Sequence, residues 1–208
     1  MKSSKVRVLI ADDHSVVRMG LASLLGTAKN VEIAGEAING EDAVRKALKI
    51  RPDIVIMDIV MPKKDGVAAT EEILAAAPET KVLILTTFGT SDDIARALKI
   101  GAMGAIMKSA TNRELLSAVQ AVAAGRRFVS AEVEGILSND PPLPELSQRQ
   151  REILESITRG LTNKEIATTL DISLESVKSH IKVILEKLNA ASRTEAASIA
   201  QRKNLLKQ

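Results

Sequence analysis

With 208 residues, 45% of them hydrophobic, the chain has material for more than one packed domain. Cysteine is absent, which excludes disulfides, thiolate metal sites and cysteine nucleophiles. No stretch reaches the ~18 apolar residues of a membrane helix, and the short run Val6–Ala11 is too brief for a signal peptide, so a soluble cytoplasmic protein is expected. Charge is unevenly placed: residues 1–144 balance 18 Lys and Arg against 18 Asp and Glu, while residues 145–208 carry 11 against 8. The whole net charge of +3 therefore lies in the last third, a weak pointer to nucleic acid by itself.

From residue 5 to about 124, strand-like and helix-like segments alternate. Val6–Ala11 reads as a strand, and Ser15–Leu25 as a helix with apolar residues at helical spacing. Val31–Ala37, Asp53–Asp58, Lys81–Thr87 and Gly104–Met107 are the further strands. Helices over Asn39–Ile50, Gly66–Ala76, Asp92–Ile100 and Thr111–Ala124 separate and follow them. Five βα units in series predict a doubly wound, five-stranded parallel sheet with right-handed crossovers. Residues 126–137 suggest an extra short helix or extension. Pro141, Pro142 and Pro144 then mark a linker.

Beyond the linker the pattern is helical only. Capping boxes stand at Ser147/Gln150, Thr162/Glu165 and Ser192/Glu195, and Ser173 is placed to cap a helix over about 174–189. These signals divide the chain into 1–125, a linker over 126–145 and a small all-α domain over 146–208.

Candidate chemistry sits at the predicted strand ends, where open α/β sheets bind ligands. Asp12-Asp13 follows the first strand and Asp58 ends the third. Thr86 and Lys108 lie at the ends of the fourth and fifth. A carboxylate at such a place can equally cap a helix, and an adjacent acid pair is often a solvated turn. Strands 1 and 3 can be neighbours in this topology, which would bring the three acids together. An all-oxygen cluster suits Mg²⁺. Asp58 could then accept a phosphoryl group, with the Thr86 hydroxyl and Lys108 ammonium binding its oxygens. His14 reads as helix-start surface, not a metal ligand.

The set Asp12-Asp13, Asp58 with Met61-Pro62 and Gly66, Thr86 and Lys108 resembles the receiver domain of bacterial two-component response regulators, a flavodoxin-like fold. The resemblance implies that Asp58 accepts its phosphoryl group from a sensor histidine kinase. It also implies Mg²⁺ held by Asp13, Asp58 and the Val60 carbonyl, with Asp12 acting through water. Two positions depart from the family pattern: Ala105 replaces a common aromatic, and Ser109 a common proline.

Residues 163–188 read helix, short turn, helix, with Lys178, Ser179, Lys182 and Glu175 on the outer side of the second helix and His180 nearby. An ordinary helical hairpin with a solvated face would look similar. The runs Leu146–Leu154, Gly160–Ala167, Val177–His180 and Ser192–Ala196 go further, and resemble the LuxR-type DNA-binding domain. Receiver plus this domain resembles the NarL/FixJ response regulators. That implies a transcriptional regulator contacting DNA through Lys164, Lys178, Ser179, His180 and Lys182. The implied partners are paired DNA half-sites, a sensor kinase, RNA polymerase and a second copy of the chain. Pairing is expected on phosphorylation, with a final-helix contact near Ala196 and Ala200. No enzyme activity beyond self-phosphorylation from a donor and slow autodephosphorylation is expected. An aspartyl-phosphate phosphatase fits poorly, since Val60 stands where its second acid belongs. A scaffold with a decayed site fits poorly because the acids, Thr86 and Lys108 are intact.

Overall fold

The computed structural model describes residues 5–87, 91–139, 146–202 and 205–206. The chain forms two compact units, Met1–Pro141 and Pro142–Gln208. No helix among the described residues is long and apolar enough to cross a membrane.

The first unit is one parallel sheet with helices on both faces. Its strands are β1 (Val6–Ala11), β2 (Val31–Ala37), β3 (Ile54–Asp58), β4 (Lys81–Thr86), β5 (Gly104–Met107) and β6 (Phe128–Val129), in the order β2-β1-β3-β4-β5-β6. Strand residues alternate between two cores because side chains point to opposite faces with period two. Leu9, Val55, Met57, Val82, Ile84 and Ala105 pack beneath α2 (Gly40–Ile50), α3 (Gly66–Ala76), α4 (Ser91–Ile100) and α6 (Ala131–Asn139). Val8, Ile10, Ile54, Ile56, Leu83, Leu85 and Ile106 pack beneath α1 (Ser15–Gly26) and α5 (Asn112–Ala123).

The sheet has six strands, not five. Phe128–Val129 pairs in parallel with Gly104–Ala105, and Val133 of α6 is fully buried in the core. Residues 126–139 are thus built onto the first unit, not strung out as linker, and Ser138 and Asn139 end a helix. The prolines of the predicted linker lie outside the described residues.

The second unit holds α7 (Gln148–Thr158), α8 (Asn163–Leu170), α9 (Leu174–Leu188) and α10 (Arg193–Arg202) around one core that includes Ile153, Leu154, Ile166, Val177, Ile184 and Leu188. The boxes at Ser147/Gln150 and Thr162/Glu165 close on both sides. The third closes differently. The Glu195 N–H donates to Ser192 Oγ at 3.2 Å, but the Glu195 carboxylate accepts from the Ala191 N–H at 2.8 Å, one residue earlier than a capping box requires. Ala196 and Ala200 are buried in this unit's own core. These two side chains are used in intradomain packing, so a final-helix contact near them would be made by other residues of α10.

Candidate functional site

Register brings the strand-end groups together. Ala11 pairs with Met57, so Asp12 follows beside Asp58; Asp58 pairs with Leu85, and Thr86 with Met107. Thr86, the last residue of β4, therefore stands one step beyond Asp58, and Lys108, just past β5, two steps beyond it. The turn after β3 is held by a close approach. A Cβ on Gly66 would lie 1.9 Å from the Asp58 carbonyl oxygen, so only glycine fits. Asp65 caps α3 by accepting from the Ala68 N–H at 2.7 Å, and the Gly66 N–H donates to the Ile59 carbonyl at 2.8 Å.

Lys108 Nζ sits between two buried carboxylates, 2.7 Å from Asp58 Oδ2 and 2.6 Å from Asp12 Oδ2. The first contact is a hydrogen bond; the second is a close ion pair out of hydrogen-bond alignment. Burial would lower the Lys108 pKa, but the two carboxylates beside it, Asp12 and Asp58, outweigh that and hold it above the ordinary lysine value. Burial pushes the Asp58 carboxyl up, and the Lys108 hydrogen bond only partly offsets the rise. Among the described residues, Asp58 Oδ1 receives just a long contact of 3.4 Å from the Val60 N–H. Asp12 Oδ1 accepts from the His14 N–H at 2.8 Å. The Thr86 side chain is buried, and its hydroxyl has no hydrogen-bond partner among the described residues.

His14 lies close to the acid cluster. Ligand atoms of Asp12, Asp13, His14 and Asp58 all lie within 4.8 Å of one another. His14 is at the helix start and exposed, as expected, yet its Nδ1 is 2.8 Å from Asp13 Oδ1. Val60 is 61% exposed, and Phe88, two residues beyond Thr86, lies outside the described residues. Ala105 is fully buried on the face covered by α4 and α6.

In the second unit, α8 and α9 meet through a turn in which Asp171 adopts a left-handed conformation (φ 50°) and Ser173 accepts from the Ser176 N–H at 3.0 Å. Arg193 ties α10 to the start of α8 by donating to Asn163 Oδ1 at 2.8 Å and to the Leu161 carbonyl. Lys164, Lys178, Ser179 and Lys182 are exposed, and His180 is half-buried. Lys178 approaches Glu175 only at 3.5 Å. The outer side of α9 thus presents two lysines a single turn apart.

The chain joins a doubly wound sheet domain, with a carboxylate and lysine cluster at its strand ends, to a helix-turn-helix domain. Residues 8–120 match the family model of the response regulator receiver domain, and residues 144–200 match that of bacterial regulatory proteins of the luxR family. The chain belongs to the response regulators that join these two domains. It is 38% identical to the transcriptional regulatory protein LiaR of Bacillus subtilis, over 97% of this chain and 99% of that protein. It is 36% identical to the response regulator protein VraR of Staphylococcus aureus, with the same coverage of both chains. Among solved structures it resembles the response regulator ChrA of a heme-sensing two-component system, with 39% identity, a TM-score of 0.58 and coverage of 97% and 99% of the two chains. An RcsB–DNA complex shares the fold at 23% identity and a TM-score of 0.70, over 95% of this chain and 98% of that one.

Proposed function

We propose that the chain is a phosphorylation-dependent transcriptional regulator in which Asp58 takes a phosphoryl group from a sensor histidine kinase and the second unit binds DNA. The observation that carries this reading is the buried Asp12–Lys108–Asp58 arrangement at the strand ends where the Thr86 hydroxyl, without a partner among the described residues, also lies. Oδ1 of Asp58, with its single long contact, is the oxygen free to attack phosphorus. Lys108 stays charged and can follow an oxygen of the transferred group. Thr86 offers the donor that an added phosphoryl oxygen lacks.

A divalent cation suits the donor set, since the cluster is rich in carboxylate oxygen and carries net negative charge. Asp13, Asp58 and the Val60 carbonyl would hold Mg²⁺, with Asp12 acting through water. When bound it would neutralise charge on the phosphoryl oxygens. The test is mass spectrometry after acetyl phosphate and Mg²⁺. A gain of one phosphoryl group that disappears in Asp58→Asn is expected; no gain in the unaltered chain would refute the phosphoacceptor reading.

Phosphoryl lifetime follows from what flanks Asp58. Val60 is apolar and exposed and cannot position an attacking water. Hydrolysis should be slow, and Val60→Asn should shorten the half-life roughly three- to tenfold by aligning a water. An unchanged decay rate would remove this argument.

For DNA, α9 is the helix placed to enter the major groove, with Lys164 on α8 beside the backbone. Lys182→Ala should weaken binding to all sequences alike and reduce the salt slope by about one unit. Lys178→Ala should cost ~1–3 kcal/mol and relax preference at one base pair. Salt-dependent binding isotherms on selected and scrambled duplexes separate the two; if neither variant changes binding, α9 is not the reading helix.

A further inference from the structure

We propose that Arg18, in the first turn of α1, is a positioning residue for the acid pair: it sets the direction from which the Asp13 carboxylate meets the cation. The role rests on the cation site of the phosphoacceptor reading.

Side chains on a helix lean toward its N-terminus, so an arginine early in α1 points back at the strand ends. Arg18 reaches two of them. Its Nη1 donates to the Asp12 carbonyl beyond β1 at 2.8 Å, and its Nε donates to the Glu36 carboxylate of β2 at 3.1 Å. The side chain is 13% exposed, a burial that arginine accepts when paired. Glu36 is itself held, since its main-chain carbonyl accepts from Lys46 of α2. The planar guanidinium therefore bridges two strand ends at a fixed geometry.

The grip at Asp12 is on the main chain. The Asp12 carbonyl and the Asp13 N–H belong to one planar peptide unit. A bond that fixes the carbonyl fixes that plane, and with it the direction in which Asp13 leaves the strand. The preceding peptide is fixed as well, by the Asp12 N–H donating to the Ala37 carbonyl at 3.1 Å. Asp12 and Asp58 are turned inward to Lys108, which leaves Asp13, 30% exposed, as the acid whose direction that lysine does not set. Arg18 supplies the tie on the peptide that leads into it.

Charge and position make opposite demands here. Arg18 places a positive charge near a site for another, so by charge alone its removal should tighten cation binding. By position its removal should weaken binding, because losing an outer group that orients metal ligands ordinarily costs about ten- to a hundredfold in affinity. The direction of the change thus identifies the role.

The experiment measures Mg²⁺ binding to the full chain by calorimetry, without a phosphodonor, in the unaltered chain, Arg18→Met and Arg18→Lys. Methionine keeps an apolar stem in place of the arginine's, and lysine keeps the charge without the planar fork. Affinity should fall about tenfold in Arg18→Met and about threefold in Arg18→Lys. With acetyl phosphate, Arg18→Met should need about tenfold more Mg²⁺ for half its maximal rate of Asp58 labelling, while the rate at saturating Mg²⁺ stays within about twofold. Unchanged or tighter Mg²⁺ binding in Arg18→Met would overturn the role and leave the arginine as a brace of the fold alone. A lowered rate at saturation with no shift in the Mg²⁺ requirement would overturn it too. Should Arg18→Met not fold, the lysine variant decides, since its charge is kept and only the geometry differs; affinity equal to that of the unaltered chain would then count against the role. An unaltered chain that binds Mg²⁺ but takes no label refutes the phosphoacceptor reading and leaves the binding comparison intact. No Mg²⁺ binding by the unaltered chain removes the cation site and this role together.

Discussion

Beryllofluoride with Mg²⁺ should convert the chain from monomer to dimer and tighten its binding to paired half-sites by about a hundredfold or more, because the second half-site is then engaged intramolecularly. A phosphoryl group, or its mimic, adds roughly −1.5 to −2 charges at the strand ends. Thr86 and Lys108 are the groups able to respond, and they are already linked: the Lys108 N–H donates to the Thr86 carbonyl at 2.7 Å. Ala105 has no ring to swing, so the change must travel through the backbone that follows β4 into α4. Thr86→Ala should remove most of the gain in dimer and DNA affinity while Asp58 remains labelled. Sedimentation and DNA binding with and without beryllofluoride are the measurements. Identical behaviour in the two conditions would reject the coupling.

Replacing Lys108 by Met should cost ~3–5 kcal/mol of unfolding free energy, as removing one partner of a buried pair leaves the opposite charges uncompensated. Here two are left, Asp12 and Asp58, both nearly inaccessible to water. Urea denaturation without divalent cation measures the loss. Saturating Mg²⁺ should restore much of it, and adding Asp12→Asn should restore part. The pH dependence has a definite sign. The Lys108 contribution in the unaltered chain is fully present below the ordinary lysine pKa and is lost as pH rises through the higher folded value. Asp58 works the other way: its folded pKa is raised, so its ionised form costs stability, and the cost is relieved as pH falls through that folded value. The variant should therefore gain stability relative to the unaltered chain as pH falls from neutrality through the raised Asp58 value. A flat difference between the two over that range would contradict the pairing.

Most of this architecture was legible because burial on both sheet faces writes itself as short apolar runs. Ile54–Met57 is such a run, and the acid that ends it could be assigned to the strand terminus without coordinates. The neighbourhood of β1 and β3 followed from topology. What escaped had no period to read. Phe128–Val129 is two residues long, shorter than one alternation can establish, and becomes a strand only because β5 offers an edge. Ala196 and Ala200 sit in an alanine-rich helix in which core and contact faces look alike. The reach of His14 depends on a turn geometry set by the Asp12 carboxylate accepting the His14 N–H. Composition does not encode that bend, although the adjacency of the histidine to the acids was in plain view. The third capping box failed by one residue, within the ordinary variation of helix starts.

The sixth strand and its helix also bear on how the molecule can be divided. A fragment ended at residue 125, where the last βα unit closes, would strip β5 of the outer neighbour that β6 provides. It would bare a hydrogen-bonding edge and empty the place that Val133 fills. Such an edge is a template for another chain's strand, and fragments of this kind self-associate for reasons unrelated to signalling. Gly104 sharpens the point, since its alpha carbon faces the Phe128 carbonyl so closely that an added Cβ would lie 2.3 Å from that oxygen. Work on the isolated first domain is therefore better begun from a chain cut after Asn139, where the aggregation hazard is covered by the protein's own next few residues.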